Sequence, residues 1–185
     1  MKYAFSIVIL ALSLMACNGP AEVYKDKIVV VDSLLVELES HQARYNLIDS
    51  TAINAQIGEM EGLNKILHGP KVNQDDKEFW TTKLAPFELV ITPYQKYLRD
   101  KAKIEKQLTY TRSQLLSLRK SLKEEVLDTA TASKYLLDEQ KAMGDIYMLL
   151  IKRIEPTIKA QSIWDTSAQK YQALADSISA ISINE

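Results

Sequence analysis

Between Ile104 and Leu122 the side chains Ile104, Leu108, Thr111, Leu115, Leu118 and Leu122 recur at steps of four and three. That alternation averages 3.5 residues, the period of one helix face, and it cannot be laid on a strand, whose faces alternate every two residues. From Tyr94 to Met143 there is neither glycine nor proline to interrupt it. A narrow apolar stripe on a long helix has no way to leave water except against other helices. The fold is therefore committed to helix-on-helix packing before any other feature is considered.

The rest of the chain supplies the partners. Tyr24, Ile28, Val31, Leu35, Leu38, Gln42 and Tyr45 form a second seam, widened by Val30, Leu34 and Val36. Val29 to Val31 is β-branched, but the 3.5 period on either side argues for helix. The register slips near Asp49-Ser50-Thr51 and resumes at Ile53, Ile57, Met60, Asn64 and Leu67; a turn and a stutter give the same pattern. His68-Gly69-Pro70 ends this stretch, with glycine placed as a C-cap and proline unable to continue.

Residues 71–92 read as irregular. Asp75 or Asp76 can cap a short helix carrying Phe79, Trp80 and Leu84, and Ala85-Pro86 interrupts it. Thr92-Pro93-Tyr94-Gln95 has the chemistry of a helix start, Thr at N-cap, Pro at N1 and Gln at N3. The helix from Pro93 is expected to end near Leu127, with Asp128 to Thr131 as turn and recap. A last helix over about 131–179 carries Leu136, Gln140, Met143, Tyr147, Leu150 and Ile154, then Thr157, Gln161, Trp164, Ala168, Tyr171, Ala175 and Ile178. Pro156 lies inside it and predicts a kink or a short break. The expected fold is all-α: an elongated, antiparallel, coiled-coil-like bundle of three to four long helices.

Charge suggests a pairing. Glu22 to Gly62 carries eight acidic and three basic residues, Lys96 to Lys123 nine basic and two acidic. Setting those helices side by side offsets the two, with each exposed pair worth tenths of a kcal/mol.

The N-terminus reads differently. Met1-Lys2 is a short positive region, and Tyr3 to Ala16 is apolar apart from two serines. About 14 residues is too short for a ~30 Å hydrocarbon core but suits the apolar part of an export signal. Leu14-Met15-Ala16-Cys17 follows and holds the chain's one cysteine. This stretch resembles the lipobox of bacterial lipoproteins. The resemblance implies cleavage before Cys17, a diacylglyceryl thioether on its sulfur, and usually an additional N-acyl chain such as palmitate. At ~0.8 kcal/mol per buried methylene, two or three such chains hold a protein at a bilayer effectively permanently. Asn18 in place of Asp after the cysteine resembles the pattern sorted to the outer membrane, with the periplasmic or surface side left open.

On this reading residues 1–16 are signal peptide, 17–23 the lipidated cysteine and a short tether, and 24–182 a single helical-bundle domain. Asn18-Gly19-Pro20 breaks structure, and a tether of about seven residues reaches at most ~25 Å. About 169 residues remain after cleavage, enough for one core. With 22 basic and 24 acidic residues they give no reason to expect nucleic acid. A lipidated Cys17 leaves no thiol for a disulfide.

Candidate chemistry is sparse. His41 lies four residues after Glu37, on one helix face, but no third ligand is apparent and no metal site is expected. His68 suits a helix C-terminus. Phosphate loops, zinc motifs and nucleophile elbows do not occur, so neither a cofactor nor an enzymatic activity is expected. Lys96 to Lys123, interleaved with Tyr94, Tyr97 and Tyr110, either pairs with the acidic first helix or faces an anionic surface; pairing is the expectation. Phe79 and Trp80 are expected to close the end of a core. Asp32-Ser33-Leu34, Asp49-Ser50-Thr51, Asp128-Thr129-Ala130 and Asp176-Ser177-Ile178 resemble the O-glycosylation acceptor of exported proteins in one bacterial phylum. Helix capping alone accounts for the second and third.

These features point to a lipid-anchored envelope protein with a non-catalytic helical interaction or structural module. Its partners would be the bilayer, through Cys17, and an envelope protein or a second copy. The alternative is a binding protein or chaperone that cradles an apolar or anionic ligand between its helices.

Overall fold

The computed structural model describes residues 22–69 and 85–181. The lipobox with Cys17, the Phe79–Trp80 pair and the tail after Ile181 lie outside them. Every regular element among the described residues is helical: α1 (Glu22–Tyr45), α2 (Ser50–Leu67), α3 (Ala85–Lys123), α4 (Thr129–Leu149), a π-helical turn (Leu150–Ile154) and α5 (Glu155–Ile181). The protein is an all-α helical bundle, as its heptad seams require.

The slip near Asp49 is a turn rather than a stutter. α1 stops at Tyr45, and the Asp49 carboxylate accepts from the backbone N–H groups of Thr51 at 2.8 Å and Ala52 at 3.2 Å. That satisfies donors the first turn of α2 would otherwise leave open. Asp128 repeats the device for α4, accepting from the N–H groups of Ala130 and Thr131 and from the Thr131 hydroxyl at 2.6 Å.

Two helix boundaries differ from expectation. α3 begins at Ala85, so Pro93 lies inside it and Thr92 is not an N-cap. The reason is burial. Phe87, Val90, Tyr94 and Tyr97 continue the three-and-four spacing and are all buried, so the seam extends across the proline and outweighs its lost hydrogen bond. Pro86 occupies the first turn, where a missing N–H leaves no gap.

The far end of α3 comes at Lys123, four residues before Leu127. There Val126 N–H donates to Ser121 C=O at 3.2 Å and Glu125 N–H to Leu122 C=O at 3.4 Å, the paired bonds of a Schellman ending. Glu125 takes the left-handed position (φ 55°) that glycine usually holds, which is why composition gives no sign of the stop.

At Pro156 the helix neither breaks nor stays regular. The preceding turn opens to π-helix, and Glu155 N–H donates to Leu150 C=O, five residues back. The wider turn absorbs the residue that cannot donate, while Leu150, Ile154 and Thr157 all stay buried.

Backbone contacts divide the described residues into two compact units, and α1, α3 and α4 contribute to both. The first comprises residues 22–38 and 110–143. Near its α3–α4 turn the Tyr24 hydroxyl donates to Leu127 C=O, and further along Asp32 pairs with Arg119 at 2.6 Å. Numbers rise along α1 as they fall along α3, so the two run antiparallel. Val31, Leu34 and Leu38 of α1 and Thr111, Leu115, Leu118 and Leu122 of α3 are all buried in this unit.

The second unit comprises residues 39–69, 85–109 and 144–181. α2 packs on α5. Phe87 of α3 stands edge-on to two rings of α5, with centroids 5.1 Å from Tyr171 and 6.1 Å from Trp164, and Trp164 stacks on Tyr171. Two buried phenols find partners across helices, Tyr45 donating to Glu105 and Tyr94 to Gln56, both at 2.7 Å. Burial is the main cause that raises both phenol pKa values, so these hydroxyls stay protonated donors. Asp100 of α3 binds Arg99 and Arg153, and these two hold its carboxyl down to about 2.

Candidate functional site

Among the described residues, few polar side chains enter the seams, and those that do are hydrogen-bonded at Tyr45, Tyr94 and Thr157. The buried polar residues among those described are Thr111 and Thr157, and the Thr157 hydroxyl donates to Arg153 C=O one turn back at 2.6 Å. Two surface grooves, one in each unit, bring further polar side chains together.

The first-unit groove lies between α3 and α4 and has a volume of about 510 Å³. From α3 it takes Tyr110, Gln114, Ser117 and Ser121; from α4 it takes Tyr135, Asp138 and Glu139. These positions follow helical spacing, and each set stands next to its helix's seam. The α3–α4 reversal places Tyr110 toward one end of the groove and Tyr135 toward the other. Both rings are about half exposed or more. Glu139 Oε2 is fully shielded from solvent and has no hydrogen-bond partner among the described residues. Burial, and then the neighbouring Asp138 carboxylate, push the Glu139 pKa upward. Two adjacent carboxylates, one partly desolvated, make this groove unsuited to an anion.

The second-unit groove has a volume of about 410 Å³ and a mostly apolar lining from Leu47, Tyr147, Leu150 and Ile151. His41 lies in its wall with its ring 6.2 Å from that of Tyr147. Arg44 and Glu155 close one side through two 2.7 Å hydrogen bonds, a bidentate ion pair whose Arg44 holds Glu155 below its usual pKa. Leu47 is 59 %, Tyr147 51 % and Ile151 43 % exposed, a local concentration of large apolar surface. Spacing alone puts Tyr147 in the seam; Ile146 takes that place, and the phenol is left at the groove.

The remaining sequence candidates fall into place around these grooves. His41 and Glu37 belong to no group of three or more metal-ligating side chains among the described residues. His68 forms the C-cap of α2, its Nδ1 3.2 Å from Asn64 C=O. The basic stretch meets the acidic one at Arg119–Asp32, but charge also turns toward the last helix, at Arg44–Glu155 and Arg153–Asp100. Lys101 and Lys120 instead pair one turn along α3 or just past it, with Glu105 and Glu124. Of the four acceptor-like triplets, Asp49 and Asp128 are caps. Ser33 and Ser177 are exposed, and each donates to a carbonyl of its own helix at 2.9 and 2.8 Å.

Asp138, Glu139 and Tyr135 carry no site signal in the sequence reading. Their i, i+3, i+4 spacing on α4 is visible there, but it acquires meaning only once the α3–α4 turn sets them against Gln114 and Ser117. Compared with known protein families, curated proteins and solved structures, the chain matches none.

Proposed function

We propose that this chain is a lipid-anchored, non-catalytic module of the bacterial cell envelope, held at the outer membrane through acylated Cys17 and acting through its helix surfaces. The observation that supports the surface role is the apolar groove of Leu47, Tyr147 and Ile151. Clustered large apolar side chains beside an ion pair and a histidine are the composition of a protein-contact patch, apolar at the centre and polar at the rim. The cores themselves are filled by seam side chains. The anchor rests on Leu14-Met15-Ala16-Cys17 and the apolar run before it.

The same groove favours one form of the binding-protein alternative, a site for an apolar ligand. The carboxylates of the first-unit groove speak against an anionic one.

Two measurements separate these parts. Labelled palmitate should attach to the wild-type chain and not to Cys17→Ser, which should be released or remain uncut. Label on the Cys17→Ser protein would remove the anchor. In-membrane photocrosslinking from a probe at position 151 should give one discrete protein adduct that Leu47→Glu abolishes while the melting temperature stays unchanged. A probe that crosslinks only to lipid or small hydrophobic molecules would replace the interaction module with the ligand-binding alternative.

A further inference from the structure

The apolar surface of the second-unit groove continues past Ile151 onto the outer side of its helix. Met148 is 45 % and Ile151 43 % exposed, and Asp145 and Lys152 beside them are exposed as well. All four belong to the second unit, the first two of the stretch in α4 and the last two in the π turn. Steps of three and four along the chain keep them on one side of the helix. Neither Asp145 nor Lys152 takes part in an ion pair among the described residues. They also stand too far apart to pair with each other, at about 10 Å along the axis. A Cβ added at the neighbouring Gly144 would meet nothing within 4 Å, so the backbone there is open to approach from outside.

The order along this face is acidic, apolar, apolar, basic, and its reverse is its own complement. An antiparallel copy of the helix sets Met148 against Ile151 of the second copy, and Ile151 against that copy's Met148. The same register brings Asp145 to Lys152 of the second copy, and Lys152 to its Asp145. Each contact is then made twice, as a two-fold interface requires. A parallel copy holds Asp145 level with Asp145 and Lys152 level with Lys152, so the opposite charges stay about 10 Å apart. Flanking charges of this kind set partner and orientation more than they set affinity. An apolar small molecule leaves both charges unmatched.

We propose that this face binds a second copy of the chain, antiparallel, with Met148 and Ile151 at the centre and an Asp145–Lys152 pair toward each end. The proposal rests on reading the groove of Leu47, Tyr147 and Ile151 as a protein-contact patch, and it names the partner. It does not depend on the lipid anchor.

A photocrosslinking probe at position 148 of the full chain, irradiated in native membranes, reads self-association as an adduct of twice the chain mass. The otherwise wild-type chain should give that adduct. Asp145→Lys and Lys152→Asp should each lower its yield about fivefold or more, since two contacts turn from attraction to repulsion. Co-expressing the two variants should restore it, and so should one chain carrying both substitutions. In either case the opposite charges meet only across the two-fold axis. A variant that merely failed to fold could not be rescued in this way. Glu59→Lys, a reversal at an exposed position of α2 in the same unit, should leave the yield unchanged. Absence of the dimer adduct, its persistence in both single variants, equal loss in Glu59→Lys, or failure of either rescue overturns the proposal. If probes at 148 and 151 mark a different protein, the contact patch stands and the second copy falls. If they mark no protein, both readings fall.

Discussion

Phe87 decides where α3 begins, and its replacement is the sharpest test of the fold. If the helix started at the Thr92-Pro93 cap, position 87 would lie in a connecting segment and tolerate truncation. In the structure its ring is 1 % exposed and stands edge-on to Trp164 and Tyr171 at 6.1 and 5.1 Å. Deleting a buried phenyl costs about 3–5 kcal/mol, the transfer term plus the cavity left behind. The edge-on contacts, each about 0.5–1.5 kcal/mol, are lost with it and lie partly within that figure. Leu89, two residues on, is 63 % exposed, so Leu89→Ala should change stability by no more than about 0.5 kcal/mol. For a chain of this size about 2–4 °C of melting temperature follows each kcal/mol, placing the Phe87→Ala midpoint roughly 6–20 °C below that of the wild type. Paired thermal melts by far-UV circular dichroism and by tryptophan fluorescence measure both variants. A Phe87→Ala loss below about 1 kcal/mol, or equal effects at 87 and 89, would remove the N-terminal turns of α3 from the core.

Three further outcomes follow from the same geometry. Pro93→Ala should raise stability by about 1–3 kcal/mol in urea unfolding, because alanine restores a mid-helix N–H; at a true N1 position the exchange would be neutral or harmful. Glu125→Gly should be more stable than Glu125→Ala by about 1 kcal/mol, since both remove the side chain and only glycine relieves the left-handed backbone; equal stabilities would mean that the α3 ending is not strained. Asp100 is held down to about 2 by Arg99 and Arg153, so the unfolded chain takes up its proton first and the stabilisation is lost as pH falls from the ordinary carboxylate range toward 2. Asp100→Asn should therefore melt below the wild type at pH 6, with the gap closing near pH 2; a gap that does not vary with pH would contradict the ion-pair account.

The seams of this chain are legible because burial and spacing agree. Ile104 to Leu122 is buried at every expected position, and Val31, Leu38, Tyr45, Ile53, Met60 and Leu67 follow the same rule. What misleads is local end chemistry. Thr92-Pro93-Tyr94-Gln95 satisfies each preference of a helix start, yet each preference is worth about 1 kcal/mol, less than the burial of Phe87 and Val90 on the same stripe. The stop at Lys123 is illegible for the opposite reason: its left-handed residue is a glutamate, and a Schellman ending without glycine leaves no mark in composition. Pro156 announces a disturbance but not its form, since a kink, a break and a π turn all relieve the same missing donor.

The grooves are hidden by a finer ambiguity. A seam of period 3.5 on a helix of period 3.6 leaves two adjacent positions competing for each inward site. At 146 and 147 the spacing admits either residue; isoleucine goes in, and the tyrosine is placed at the surface, where its hydroxyl keeps its water. The same choice recurs at Ala160 over Gln161, and at Thr111 over Tyr110. In each pair the rejected neighbour is the larger polar one, and it comes to rest on the rim of the stripe. Tyr110 and Tyr147 thus line the two grooves as a by-product of how the core selects its occupants. A double variant that exchanges the two side chains, Ile146→Tyr together with Tyr147→Ile, preserves composition and helical propensity but offers the core a phenol and the groove an aliphatic. If seam selection works by the cost of burying a hydroxyl, the exchanged chain should lose about 1–3 kcal/mol in urea unfolding and lose the aromatic wall beside His41. An exchange without effect on stability would show that spacing alone, and not polarity, sets the register of α4.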